Sequence, residues 1–251
     1  HVVELPDASA AGTVIASRRM DRGRSVRLEA GTASHTGLIR ASNQDSVGLV
    51  EGLYVVADGM GGHRGGEVAS AEAVAAMLAV FDRRDRAGLV AAVRSANRTI
   101  LEKTVTRPDL SGMGTTLCAL AVVSSASGDE VLAVANIGDS RVYRFAAGEL
   151  VQVSDDHSLV ADLMRAGELS AEEAAQHPQR NILTRALGIE ADPVIDSWEI
   201  EPVLGDRYLL CSDGLFNELD DGRLAEVLAA GTVQESADLL VDEAVENGGH
   251  D

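Results

Sequence analysis

The chain has 251 residues and a formal net charge of −19, with 45% hydrophobic but only 3% aromatic residues. So negative a charge excludes a nucleic-acid partner, since nothing could neutralise a phosphate backbone, and no apolar run approaches the ~20 residues of a membrane span. The hydrophobic content is enough for a sizeable core, built from Val, Leu, Ile and Ala rather than from rings.

The opening HVVELPDASAAG lacks a basic region followed by an apolar core. No secretory signal is therefore predicted, and a soluble, cytoplasmic protein is expected. Residues 1–26, with Arg18, Arg19, Arg22 and Arg24, are expected to be a mobile lead-in or edge segment, and the patterned domain occupies 27–251. β-Branched runs bounded by Gly, Asp and Ser predict strands in VRLEAGTAS, SVGLV and GLYVVA. Apolar residues at three- and four-residue spacing then predict helices over 66–81 and 87–103. Strands follow in TTLCALAVVSS, EVLAVANI and RVYRF, close enough together for antiparallel hairpins. From Asp155 to Trp198, with Pro178 and Pro193, the chain turns helical and irregular, as an insertion lying over one face would. RYLLCS is a further strand, and 224–230 and 233–246 are helices. Runs of strands with paired helices predict an α+β domain whose helices cover antiparallel sheets. Cys118 and Cys211 both fall inside apolar runs and read as reduced core thiols.

Four acids stand out by position. Asp58 closes GLYVVAD, Asp139 follows VLAVANIG, Asp213 closes RYLLCSD, and Asp251 ends NGGHD. Each one alone has the look of an ordinary turn, and GDSRVY reads well as a hairpin turn. An apolar strand followed by Asp, repeated within one domain, points further. Converging carboxylates raise one another's pKa and need a cation to stay ionised. An oxygen-only cluster selects hard ions such as Mg²⁺ or Mn²⁺, and the absence of CxxC or His-rich spacing disfavours zinc.

The ordered set DGMGGH, GTT, GDSRVY, DDHS, SDGL and GGHD, with HPQRNILTRALG, resembles the PP2C-like (PPM) metal-dependent protein phosphatases, most closely their bacterial branch. The resemblance runs from about Gly37 to Asp251. It implies a sandwich of two antiparallel β-sheets flanked by pairs of α-helices, with a metal centre at one end. It implies two Mn²⁺ or Mg²⁺ ions bridged by Asp58 and held by the Gly59 carbonyl, Asp213 and Asp251, and a third held by Asp139 and Asp213. Arg40 would bind the substrate phosphate with its planar fork of donors, and Asp45 would hydrogen-bond metal-bound water. A water bridging the ions would attack phosphorus in line, giving inorganic phosphate without a covalent intermediate. The expected substrates are phosphoserine and phosphothreonine in proteins, as made by a bacterial Ser/Thr kinase, and the chain is expected to act as a monomer. Asp155–Trp198 corresponds to the family's variable flap.

Three features depart from that pattern. Gln44 stands where some relatives carry a glutamate. Met60 follows Asp-Gly where eukaryotic members have a histidine proposed as general acid, and His63 and His157 read as structural rather than as its replacement. Relatives continue past GGHD with an asparagine and a final strand, whereas this sequence stops at Asp251; a trimmed or disordered terminus is expected rather than a natural stop, and a chain truly lacking that strand would hold Asp251 poorly. Cysteine-phosphatase chemistry is excluded, because Ser124 and Asn217 stand where each cysteine would need an arginine. Two alternatives are weaker: a PP2C-fold regulatory or phosphoprotein-binding module, whose signature would be lost aspartates, and a calcium-stabilised domain, which would need an EF-hand-like loop.

Overall fold

The computed structural model describes residues 12–19, 25–40, 42–61 and 65–249. Within them, eleven strands form two antiparallel sheets, and five of seven α-helices cover the outer faces. In spatial order the first sheet is β2 (Arg27–Ala33), β1 (Thr13–Arg19), β11 (Arg207–Cys211), β8 (Arg141–Ala146) and β9 (Glu149–Gln152). The second is β10 (Asp196–Ile200), β7 (Glu130–Ile137), β6 (Leu117–Ser124), β4 (Leu53–Met60) and β3 (Asp45–Val50), with the short β5 (Gly114–Thr115) paired to the end of β4.

The period of two in β6 shows how the layers arise. Leu117, Ala119, Ala121 and Val123 face α1 (Gly65–Val80) and α2 (Arg86–Thr106), where Ala69, Ala73, Met77, Leu89, Ala96 and Ile100 meet them. Cys118, Leu120 and Val122 face the other sheet and join Val14, Val56, Val134, Tyr208 and Leu210. Both faces are covered, so the strand reads as one apolar run rather than as an alternation. A third core lies outside the first sheet. There Ile15, Leu209 and Cys211 pack under α5 (Asp213–Phe216), α6 (Asp221–Leu228) and α7 (Val233–Asn247) through Leu215, Leu224, Leu228, Ala237 and Leu240. The predicted sandwich with flanking helix pairs is therefore the observed one, and both cysteines are free and buried. No described helix is long and apolar enough to cross a membrane.

The lead-in needs correcting where it is described. Thr13–Arg19 form β1, hydrogen-bonded to β2 on one side and β11 on the other, so this stretch is neither free nor an edge. Val14, Ile15 and Ala16 are fully buried because the strand has a core on each face. That removes the alternation by which a half-buried strand is recognised, and the neighbouring arginines suggested solvent. Residues 1–11 and 20–24, including Arg22 and Arg24, lie outside the described residues. The segment after Asp155 is likewise more regular than expected. It contains α3 (Leu159–Arg165) and α4 (Ala171–Ala175), and its end supplies the edge strand β10.

Candidate active site

The inter-sheet face of β4 runs through Tyr54 and Val56 and, at the next inward position, presents Asp58 at the end of the sandwich. β7 ends at Ile137, with Asp139 two residues on, and β11 ends at Cys211, with Asp213 two residues on. These strand ends come together. Asp58, Gly59, Asp139 and Asp213 line one cavity of about 320 Å³, with Arg40 and Gln44 on its wall. Three separated stretches of sequence and the arginine are thereby gathered into one pocket. Asp251 and His63 lie outside the described residues. Gly249, near the described end, accepts a hydrogen bond from Leu38 N–H at 2.7 Å, which fastens the loop before Arg40.

The threonines of the GTT motif fix the backbone of Asp58. Its N–H donates to Thr116 Oγ1 at 2.9 Å, and its carbonyl accepts from Thr115 Oγ1 and Thr116 N–H, both at 2.8 Å. Thr116 Oγ1 also lies 2.7 Å from Ser140 Oγ, which ties the ends of β4 and β7 together. Thr116 lines the pocket as well. It is a site residue to which the sequence assigned no role, and its only signal was membership in a motif. Gly138, at φ +100°, takes the backbone into a left-handed region that disfavours other residues. A Cβ there would lie 2.6 Å from the Thr116 side chain.

Gly59 meets the N-terminus of α1 with no room for a side chain. A Cβ on it would lie 2.0 Å from Gly66 O, and its N–H donates to Gln44 O at 2.9 Å. Gln44, in the place of a glutamate, accepts from Arg40 Nη1 at 3.2 Å through its side-chain oxygen.

Asp45 is the one predicted catalytic residue that is described yet does not line the pocket. It sits opposite Asp58 in the β3–β4 register and is buried. Its Oδ2 accepts from Gly12 N–H at 2.6 Å and from the Ser212 hydroxyl. Asp45 thus joins β3 to Ser212, the residue preceding Asp213. His157 does not line the pocket. It is buried, its Nδ1 accepts from Gly138 N–H at 3.1 Å, and its Nε2 faces Asp196 at 3.0 Å and Arg185 at 3.1 Å. Burial foremost holds its imidazole below the usual range.

A larger cavity of about 560 Å³ adjoins the pocket, shares Asp139, Asn181 and Asp213 with it, and runs under α3 and α4. Arg141 closes its floor, forking onto Asp156 at 2.7–3.1 Å and lying 3.7 Å from the Phe216 ring centroid. Both ends of the α3–α4 segment are stapled by backbone, with Leu159 N–H to Ile182 O at 2.8 Å and Thr184 N–H to His157 O at 2.9 Å.

The donor set is all oxygen: three carboxylates and a backbone carbonyl held where no Cβ intrudes. That chemistry fits hard divalent ions. Among the described residues no three His, Cys, Asp or Glu side chains close on one point, so the carboxylates ring a pocket.

Comparison with known proteins gives the family. The protein phosphatase 2C family profile matches residues 39–243. The serine/threonine protein phosphatase PstP of Mycobacterium tuberculosis is 42% identical over 223 residues, which are 87% of this chain and 42% of that protein. The serine/threonine phosphatase stp of Listeria monocytogenes is 38% identical over 231 residues, covering 86% of this chain and 89% of its own. This chain therefore spans well under half the length of the mycobacterial relative but most of the Listeria one. The crystal structure of M. tuberculosis PstP matches with a TM-score of 0.78 at 40% identity over 95% of each chain. The PstP catalytic domain solved with two manganese ions matches at 0.75 and 38% identity, again over 95% of each. The chain belongs to the protein phosphatase 2C family.

Proposed function

We propose that the chain is a metal-dependent protein serine/threonine phosphatase that hydrolyses phosphoserine and phosphothreonine in cytoplasmic proteins phosphorylated by a bacterial Ser/Thr kinase. The observation that carries this reading is the gathering of Arg40, Asp58, Gly59, Asp139 and Asp213 around one pocket. Family membership and the manganese-bound relative support it.

Asp58, Asp139, Asp213 and the Gly59 carbonyl would hold Mn²⁺ or Mg²⁺, with Asp251 completing the set. Bound there, the ions would lower the pKa of water and offset charge on the phosphoryl oxygens. The protein's own contribution is placement. Arg40, steadied by Gln44, presents donors to two phosphoryl oxygens and fixes the phosphorus before the carboxylate rim. Thr115 and Thr116 keep the Asp58 backbone from shifting, and Asp45 does the same for the turn into Asp213 through Ser212. No described residue of the pocket wall is His, Lys or Tyr, and Met60 carries no proton. The proton for the leaving oxygen would then come from water rather than from one of these side chains. The binding-module alternative is less favoured, since the described aspartates are retained and gathered.

The experiment is phosphate release from a phosphothreonine peptide with Mn²⁺, Mg²⁺ or chelator. Turnover with metal and none with chelator is expected. Equal turnover under both conditions, or none under either, contradicts the proposal.

A further inference from the structure

Met60 has no chemical task in the proposed reaction, yet its side chain is specifically placed. It lines the active pocket and also a second cavity of about 380 Å³ whose other walls include Leu183, Ile189, Pro193 and Val194. Leu183 is shared by both cavities too, so the two adjoin across a common wall. A Cβ at Gly114 would lie 2.7 Å from Met60 Cε and 3.2 Å from Ile189 Cδ1, so these two side chains meet over that bare glycine.

The apolar walls are held open rather than collapsed. Ile189 is 52% and Val194 60% exposed. The loop that carries Ile189 is nonetheless pinned from beneath by Asn97, which is fully buried on α2. Its Nδ2 donates to Glu190 O at 2.8 Å, and its Oδ1 accepts from Gly188 N–H at 2.7 Å. Leu187 and Thr115 exchange backbone hydrogen bonds at 2.9 and 3.1 Å, which joins the same loop to β5. Arg185, the cationic member of the wall, is turned toward Asp196 and His157. A rigid frame thus keeps branched apolar side chains in water beside the reaction centre, an arrangement that marks a binding surface.

We propose that this cavity is a subsite for an apolar side chain of the substrate, near the phosphorylated residue in the same chain. The proposal rests on the phosphatase reading. An extended chain advances ~3.3 Å per residue, so a segment with its phosphoryl group before Arg40 passes Met60 within about three residues. The volume accommodates one large aliphatic or aromatic side chain. A flexible thioether in the shared wall adapts to its shape. Met60 then serves selection where relatives with histidine serve proton transfer.

The test uses a phosphothreonine peptide with serine at the three positions on either side, and a set in which leucine replaces each serine in turn. p-Nitrophenyl phosphate, too small to reach the subsite, runs alongside. At least one leucine position is expected to raise kcat/KM about 10-fold, mainly through KM, the size expected for withdrawing one such side chain from water. In Val194→Asp that ratio should fall to within about twofold of unity, and Val194→Leu should restore it. Hydrolysis of every substrate without preference, or a preference that survives Val194→Asp, overturns the subsite alone. No hydrolysis of any of them overturns the phosphatase reading and the subsite with it.

Discussion

The rim of strand ends and the α3–α4 segment over it, residues 159–182, are built on opposite plans. At the rim, the backbone around each described carboxylate is anchored by a buried residue: Thr116 accepts from Asp58 N–H, Ser140 beside Asp139 meets Thr116, and Ser212 before Asp213 donates to Asp45. Over it, α3 buries none of its residues and α4 buries only Ala174. That segment is held at its ends by backbone bonds and by the Arg141–Asp156 fork. The rim places charged groups where two sheets leave them no alternative positions, which suits chemistry that tolerates little displacement. The segment's exposed surface has room to vary without disturbing the core, which suits recognition.

The contrast predicts a descending series of effects. Asp213→Ala should lower Mn²⁺-dependent phosphate release more than about 100-fold, since losing even an outer partner of a metal ligand costs ~10–100-fold. A smaller loss in single-turnover kinetics would break the assignment of the rim. Arg40→Ala should lower kcat/KM on a phosphopeptide about 10–100-fold, the worth of charge-assisted bonds to phosphate. Arg40→Lys should recover little of it, since a point charge does not reproduce the fork. Asp45→Ala should act first on stability. It leaves Gly12 N–H and the Ser212 hydroxyl without their acceptor, costing about 1–3 kcal/mol by urea unfolding.

Acid should loosen the frame through His157. Burial lowers its pKa, Asp196 opposes that by hydrogen bonding, and Arg185 adds to the lowering. Its neutral form accepts the Gly138 N–H. With the folded value depressed, the stability it contributes is complete above the unfolded imidazole value of about 6.5. It is lost as pH falls from there through the folded value. Between pH 7 and pH 5 the wild-type Tm should drop further than that of His157→Gln. Parallel Tm slopes would show that this imidazole does not carry the effect. The smallest effect belongs to the segment. Ser170→Ala removes the capping box of α4, worth about 1 kcal/mol locally. It should change p-nitrophenyl phosphate turnover less than about twofold, and a larger change would erase the distinction between the two regions.

Much of this was legible in the sequence for reasons the structure makes plain. The strands β4, β6, β7 and β11 are unbroken apolar runs because cores cover both faces, and Asp58, Asp139 and Asp213 stand out because each interrupts or follows such a run. β1 was missed although its burial is two-sided too, because TVIASRR offers only a short apolar run and ends in arginines. The anchoring roles of Thr116, Ser212 and Asp45 were not readable, because hydrogen bonds across 24, 58 and 167 positions of chain leave no local periodicity. Met60 was visible as a departure from the family. That it joins two cavities depends on Ile189 and Val194, which only the folded loop brings near.

The central claim is that the strand-end carboxylates together hold divalent ions, and calorimetric titration with Mn²⁺ tests it most directly. Wild-type protein should bind at least about two equivalents. Asp58→Ala should lose that binding, while Asp45→Ala should keep the stoichiometry with affinity weakened ~10–100-fold. Undiminished Mn²⁺ binding by Asp58→Ala would contradict the account.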